Sequence, residues 1–394
     1  MEEWKEYRLG DFMEFNPKIK LAKDTLARKI TMDQLIPHCR DIHSWTYEPY
    51  SGGAKFENGD TIMARITPCL ENGKHAYISC LEKDEVAYGS TEYIVIRGRK
   101  GISDNAFVYY LSHYPIFKNA AIKSMVGTSG RQRAQVDVLE NMTMALPSLP
   151  EQKKIASIFS SLDDKIEVNR RINDNLEQQA KALFKSWFVD FEPFKDQPFV
   201  ESELGLIPQG WRVGTLFDVA EILDKYRKPL SGKDRESMEK IYPYYGATSC
   251  MDYVDNYIFD GIYTLIGEDG SVVKEDGLPY MQYVWGRLWV NNHAHILQGK
   301  NGFSTEMLHV MLSITNIQHL VTGAVQAKLS QTNMQKILVP IPPIDILDKI
   351  RPLIDELYEI KRNKEEESHR LAELCDSLLP RLMSGELKVN EIEI

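Results

Sequence analysis

Trp4-Lys5-Glu6-Tyr7-Arg8-Leu9-Gly10-Asp11-Phe12 and Trp211-Arg212-Val213-Gly214-Thr215-Leu216-Phe217-Asp218-Val219 carry tryptophan, leucine and aspartate at matching places, 207 positions apart. Leu146-Pro147-Ser148-Leu149 returns as Ile341-Pro342-Pro343-Ile344, 195 positions later, and each copy runs into a long helical pattern. The chain is thus written twice, as a mixed domain followed by a helix, with the second mixed domain about 12 residues shorter by the difference of the two offsets. One architecture built twice, with different residues at most internal positions, is poorly explained by a single active site. It fits two related readers.

Composition sets the outer bounds. At 394 residues the chain exceeds one ordinary core and suits two domains of roughly 150 residues plus connecting helices. Its 43% hydrophobic content is that of a soluble globular protein, and no apolar run approaches the roughly 18 residues needed to span a bilayer. The opening MEEWKEYRLG is acidic, reads as no signal peptide, and points to the cytoplasm. Cys39, Cys69, Cys80, Cys250 and Cys375 are odd in number and form no Cys-x-x-Cys pair, which argues against a disulfide framework and a thiolate zinc site. They read as reduced, mostly buried thiols. A net charge of −10 disfavours an unaided nucleic-acid binder, but residues 1–145 hold 19 basic and 19 acidic residues, so the deficit lies in the rest of the chain. A neutral domain can present a basic face. Tight DNA binding then requires a partner's cations.

The mixed domains read as α+β. Phe56-Glu57-Asn58-Gly59-Asp60 is a turn, residues 61–66 alternate toward a strand, and Glu71-Asn72-Gly73-Lys74 is a hairpin-like turn before Ala76-Tyr77-Ile78. Residues 93–96 form another strand; in the second domain residues 263–266 run into the loop Gly267-Glu268-Asp269-Gly270-Ser271, and residues 289–297 read as one strand. Amphipathic helices are expected over 106–116 and 306–317.

After each mixed domain the period changes from two to seven. In the first helix Ile155, Leu162, Asn169, Leu176 and Leu183 alternate with Phe159, Ile166, Asn173, Ala180 and Trp187. The second gives Ile350, Leu357, Lys364, Leu371 and Leu378 with Ile354, Lys361, Ser368, Cys375 and Leu382. Both seams are apolar at the ends and polar in the middle. Antiparallel pairing sets Asn169 and Asn173 beside Lys361, Lys364 and Ser368; parallel pairing aligns them too, and connectivity selects antiparallel, since a helix leading away is naturally returned by one leading back. Pro352 and Pro380 are expected to start or kink the second helix. Asp163-Asp164 and Glu365-Glu366-Glu367 read as solvated helix faces. The segments are then 1–145, a first helix over 146–190, an acidic, proline-rich linker over 191–210 that packs through its aromatics, 211–339, and a second helix over 340–390.

Ser202-Glu203-Leu204-Gly205-Leu206-Ile207-Pro208-Gln209-Gly210-Trp211 resembles the opening of the second target-recognition domain in specificity subunits of type I restriction-modification systems. Leu149-Pro150-Glu151-Gln152-Lys153-Lys154-Ile155-Ala156 is similar to the start of that family's central conserved helix, and Asn291-Asn292-His293-Ala294-His295 to a strand of its recognition domains. The second helix departs from the usual Pro-x-x-Glu-Gln start, reading Pro343-Ile344-Asp345-Ile346. The resemblance covers essentially the whole chain in order. It implies a non-catalytic subunit whose two recognition domains read the halves of a bipartite site on double-stranded DNA, held apart by a pseudo-twofold antiparallel helix pair. It also implies two modification subunits carrying adenine methylation and S-adenosylmethionine, and restriction subunits carrying translocation and nuclease activity. In agreement, the sequence holds no Asn-Pro-Pro-Tyr or Asp-Pro-Pro-Tyr motif, no Gly-x-Gly loop after a strand and no Walker A lysine, so no cofactor of its own is expected.

Loops that combine glycine with hydrogen-bond donors are the candidate readers. Val126-Gly127-Thr128-Ser129-Gly130-Arg131-Gln132-Arg133 is the best, with a counterpart at Thr322 to Ser330 containing Gln326, Lys328 and Ser330. Arginine can clamp guanine through O6 and N7, glutamine can clamp adenine, and Thr or Ser can serve phosphates; the bland reading of each is a solvated loop. Arg65, Thr67 and Lys74 near the first hairpin, and Lys225, Arg227 and Lys228 in the second domain, are further basic candidates, although such runs are usually solvated faces. Tyr244 and Tyr245 can stack on DNA or fill core, and core is the preferred reading. His293 and His295, on one face of a strand, can ligate a metal, but no third ligand sits at suitable spacing, so a hydrogen-bonded structural role is preferred and no metal is expected. Two rivals remain: a protein-binding repeat scaffold, and a metal-dependent enzyme using His293 and His295.

Overall fold

In the computed structural model, which describes residues 4–128, 130–323 and 326–389, the repeated motifs are strand partners. Lys5–Arg8 pairs antiparallel with Thr143–Leu146, and Arg212–Thr215 pairs antiparallel with Leu338–Ile341. Each ribbon brings the two ends of a mixed domain together and delivers the chain into a long helix. A one-turn helix follows each first strand: Leu9 and Phe12, then Leu216 and Val219, drop into their cores with almost no exposure. The recurring leucine is thus a core anchor. The recurring aspartate works locally, Asp11 pairing with Arg8 and Asp218 closing a capping box with Thr215.

The chain divides into residues 1–170 with 366–394, called unit 1, and residues 171–365, called unit 2. Unit 1 holds two four-stranded sheets, one ordered Met13–Phe15, Tyr93–Gly98, Thr61–Ala64, His75–Tyr77. The strand expected from alternation over 61–66 is present at Thr61–Ala64, but all four of its residues are buried, so it is covered on both faces and not on one. The helix expected over 106–116 is two, α1 (Asn105–His113) and α2 (Pro115–Lys123), because Pro115 offers no N–H and holds Tyr114 extended. Asp104 caps α1 by accepting from the Phe107 N–H at 3.0 Å. The long helix α3 (Leu149–Phe188) then begins, and Gln152 in its first turn is buried. The Gln152 amide donates to the carbonyls of Ile102 and Pro147 and accepts from the Asp104 N–H, tying the helix start to the mouth of α1.

Unit 2 is built on a six-stranded sheet ordered Ala220–Ile222, Ala294–Gly299, Phe259–Gly267, Met281–Val290, Tyr242–Tyr245, Cys250–Val254. The strand expected over 289–297 is two, interrupted where the Asn291 side chain accepts from the His293 N–H at 2.8 Å, an Asx turn. Both pieces pair antiparallel with Phe259–Gly267. Helix α4 (Thr305–Ser313), capped by Ser304, is shorter than the sequence pattern. The linker aromatics Phe191 and Phe194, with Phe188, surround Trp211 at ring separations of 5.3 to 5.5 Å. Tyr244 is core, its hydroxyl accepting from the Leu230 N–H. The described cysteines are free thiols, four of them half-buried and Cys250 exposed, so they are less buried than expected.

Helix α5 (Ile344–Met383) begins well before Pro352 and continues through Pro380, so neither proline starts it. Ile350 and Ile354, both fully buried, hold the turn around Pro352, and Pro380 falls in the last turn. Segments of α3 and α5 pair antiparallel within each unit. In unit 1, Phe159 and Leu162 pack with Cys375, Leu378 and Leu382, and the buried Asn169 amide donates to Glu367 at 3.0 Å and Ser368 at 3.3 Å. In unit 2, Ala180, Phe184 and Phe188 share a cluster with Ile350, Ile354 and Tyr358. Phe184, Phe188 and Tyr358 lie outside the expected seam and widen it, because each helix also faces its own mixed domain.

Asp163 corrects the reading of a solvated acidic face. It accepts from the Tyr110 hydroxyl at 2.7 Å, and its neighbour Asp164 pairs with Arg40 at 2.6 Å. Burial pushes the Asp163 carboxyl up to about 6, although Tyr110 and Arg40 oppose the rise. Because the folded value lies above the ordinary one, the folded state binds the proton more tightly. The stabilisation from that proton is complete below about pH 4 and is lost as pH rises through about 6. Asp163→Asn, a neutral mimic, is therefore expected to stabilise the protein by about 1–3 kcal/mol at pH 7.5 and hardly at all at about pH 3. Thermal melts at the two pH values check this; a variant less stable than the parent at pH 7.5 overturns it.

Candidate nucleic-acid interface

The two units build the same loop cradle from different side chains. In unit 1 the Arg65 N–H donates to the Glu92 carbonyl, the Ala134 N–H to Arg65, the Thr67 N–H to Gln132, and Val126 and Arg133 exchange a pair of backbone bonds. In unit 2 the Glu268 N–H donates to His293, the Leu329 N–H to Glu268, the Gly270 N–H to Ala327, and Thr322 and Lys328 exchange a pair. Bond for bond, Arg65 corresponds to Glu268, Thr67 to Gly270, Gln132 to Ala327, Arg133 to Lys328 and Glu92 to His293. The second loop is one residue shorter. Each loop opens on a glycine with positive φ, +141° at Gly127 and +95° at Gly323. A Cβ there would lie 2.7 Å from the Arg131 carbonyl oxygen or 2.1 Å from that of Gln326, so only glycine lets the loop fold back.

In unit 1 the cradle gathers Arg65, Thr67, Thr128, Arg131, Gln132 and Arg133; Ser129 lies outside the described residues. Thr128 and Arg131 are exposed, with the Arg131 N–H donating to the Thr128 carbonyl to close a turn. The Thr67 hydroxyl exchanges bonds with the Gln132 backbone, so it holds the loop. Arg133 forms a fork with Glu92: Nε lies 3.0 and 2.9 Å from the carboxylate oxygens and Nη2 2.7 Å from Oε1. That hydrogen bonding holds the Glu92 carboxyl below the usual carboxylate range. Lys74 is not at the cradle; its ammonium donates to the Met32 carbonyl at 2.7 Å and stitches a loop.

In unit 2 Gln326 and Lys328 are exposed at the cradle, and Lys225 and Lys228 are exposed before it, Lys225 over the Tyr226 ring at 4.7 Å. Arg227, a basic candidate by sequence, is turned inward: its guanidinium pairs with Glu268 at 2.9 Å and Asp224 at 3.2 Å. Ser330 is the N-cap of the short helix Gln331–Met334 and accepts from the Asn333 N–H. Both serve the fold.

His293 and His295 do not act together. His293 precedes its strand and meets Asp269 at 2.5 Å, whereas His295 is buried, with Nδ1 2.5 Å from Asp224 and Nε2 2.7 Å from the Leu329 carbonyl. Burial pushes the Asp224 carboxyl up, but His295, the Ile296 N–H and Arg227 outweigh it and hold the group below its usual range. The fold does bring two carboxylates to His295, because Asp224, Glu268 and His295 offer ligand atoms within 4.8 Å of one another. Spacing along the chain could not show this. Arg227 occupies the cation position among them, so the donor set is balanced by a guanidinium and does not fit a metal ion.

Sequence reasoning missed Glu92, Glu268 and Asp269, the carboxylates that orient the cradle cations. Acids at the ends of strands carry no pattern of their own.

The family model for the type I restriction modification DNA specificity domain matches residues 1–178 and 208–369. The type I restriction enzyme MjaIX specificity subunit of Methanocaldococcus jannaschii is 28% identical over 73% of this chain and 70% of its own length. The HindI specificity subunit of Haemophilus influenzae is 25% identical over 98% of this chain and 100% of its own. The crystal structure of a type I restriction-modification system S subunit from M. genitalium has a similar fold, with a TM-score of 0.51, 16% identity and 96% of each chain covered.

Proposed function

The chain belongs to the type I restriction-modification DNA specificity family, and on that premise we propose that it is the DNA-reading subunit of such a system, each mixed domain reading one half of a bipartite target. The observation that carries this reading is the cradle built twice on identical backbone bonds but lined by different side chains. One backbone scheme with two residue sets suits two different half-sites. A scaffold that binds protein has no use for that difference.

In this reading Thr128, Arg131, Gln132 and Arg133 in unit 1, and Lys225, Gln326, Lys328 and Lys228 in unit 2, face DNA, and the paired helices set the gap between half-sites. The subunit is non-catalytic and works in the cytoplasm. Two modification subunits supply methyl transfer, and restriction subunits supply translocation and cleavage. The net charge of −10 supports a division of labour in which the partners contribute most phosphate contacts.

The isolated chain is accordingly expected to bind target DNA weakly and with little preference at physiological salt, and the assembly with modification subunits to bind tightly. Equal, selective binding by the chain alone would overturn the division. The class itself is tested by sequencing the methylome of cells that express the modification subunit with and without this chain. Loss of a bipartite adenine-methylation motif is the expected result, and an unchanged methylome refutes the reading.

A further inference from the structure

We infer that Glu92 is a positioning residue that sets Arg133 to read a guanine in the half-site contacted by unit 1, and that unit 2 has no equivalent guanine reader at the matching place. The inference rests on the DNA-reading function proposed above and deepens it.

A guanidinium has two edges that can form a fork. Glu92 takes the inner edge, Nε and Nη2, at 2.7 to 3.0 Å. Among the described residues the outer edge, Nη1 with the second Nη2 hydrogen, makes one long contact, 3.4 Å from Nη1 to the Arg131 carbonyl. That outer edge has the spacing of guanine O6 and N7. The side chain is also suitably placed: its backbone is bridged to Val126 and Ile66, and 41% of its surface remains exposed. A long arginine on an open loop would lose several rotors on binding and would settle on any phosphate. Fixed by a carboxylate at its inner edge, this one presents a planar fork in one direction. The same carboxylate weakens its attraction for phosphate, which exchanges sequence-independent affinity for discrimination. Arg65 adds a second cation close to Glu92 and offsets part of that negative charge.

Unit 2 lacks both components. Lys328 replaces Arg133 and offers a point charge 3.7 Å from Glu268, whose other oxygen is held by Arg227 at 2.9 Å. His293 replaces Glu92 and turns to Asp269. An ammonium has no rigid planar fork for a carboxylate to fix in one direction, so this device is absent from the matching position of the other half-site.

The test uses the full assembly with modification subunits, methylating a library randomised at both half-sites, with the parent chain, Glu92→Gln and Arg133→Lys. Glu92→Gln and Arg133→Lys are each expected to reduce preference for guanine at one position of one half-site by roughly 5- to 150-fold, the worth of one bidentate base contact. The other half-site should be read unchanged. Glu92→Gln should also steepen the salt dependence of binding, because Arg133 is released toward phosphate. If Glu92→Gln lowers melting temperature or overall methylation while the motif keeps all its bases, Glu92 only supports the loop and the inference fails. If the parent assembly shows no bipartite motif dependent on this chain, the proposed function itself fails, and the inference with it.

Discussion

Lengthening both long helices by four residues, at 170/171 in α3 and at 365/366 in α5, is expected to widen the unspecified gap of the target by one or two base pairs and leave both half-site sequences unchanged. Four residues add about 6 Å and turn the helix about 40° beyond a full turn. One to two base pairs add roughly 3.4 to 6.8 Å and turn the groove by about 34 to 70°. Distance and phase therefore advance together. A heptad does not achieve this: it adds about 10.5 Å and falls about 20° short of two turns, whereas three base pairs turn the groove by about 100°. The heptad variant should leave the original gap and gain no equally good one. The insertion points flank the layer in which Asn169 meets Glu367 and Ser368, so equal insertions keep that layer and both flanking seams in register. An insertion in α3 alone breaks the register and should abolish methylation. The measurement is methylation of a library in which only gap length varies. A folded double-insertion protein that still prefers the original gap removes the helices as the ruler.

Arg362→Ala is expected to destabilise unit 2 by about 3 kcal/mol, which for a unit of this size lowers the melting temperature by roughly 6–12 °C. Arg362 on α5 donates to Glu306 on α4 at 2.7 Å and to the Tyr283 hydroxyl, while Tyr283 donates to Glu306 at 2.8 Å. The Glu306 side chain is 7% exposed, so removing the guanidinium strands a buried carboxylate with one neutral donor. The combined change Glu306→Leu with Arg362→Met leaves no stranded charge and should recover most of the loss. Melts of the two variants decide the matter: equal losses would mean that side-chain packing, and not the unpaired charge, sets the cost.

Gln152 and Leu347 show how far repetition can be read. They sit at corresponding places in the two helix starts, both buried, yet one makes three hydrogen bonds and the other packs in an apolar cluster. The departure at Pro343-Ile344-Asp345-Ile346 is therefore a change of chemistry inside an unchanged fold. The polar middle of the helix seam was legible, since Asn169 does face Ser368, whereas its second partner Glu367 had been read as part of a solvated run. Asp163 was misread in the same way, because an acid on a helix surface gives no sign in the sequence of the tyrosine that will cover it.

Local order in the chain determined the strand and helix periods, the two long helices with their seams, and the glycine loops, since each depends on residues within a few positions of one another; recurrence of such short motifs 195 and 207 positions apart determined the tandem plan. Tertiary structure alone decided which cations face outward. Arg133, Arg227 and Lys328 are all basic residues near loops, but the carboxylates Glu92 and Glu268 that turn them arrive from 41 to 60 positions away through strand pairing. An ion pair's geometry is set by the backbone that brings its partners together, and no spacing in the sequence encodes that approach.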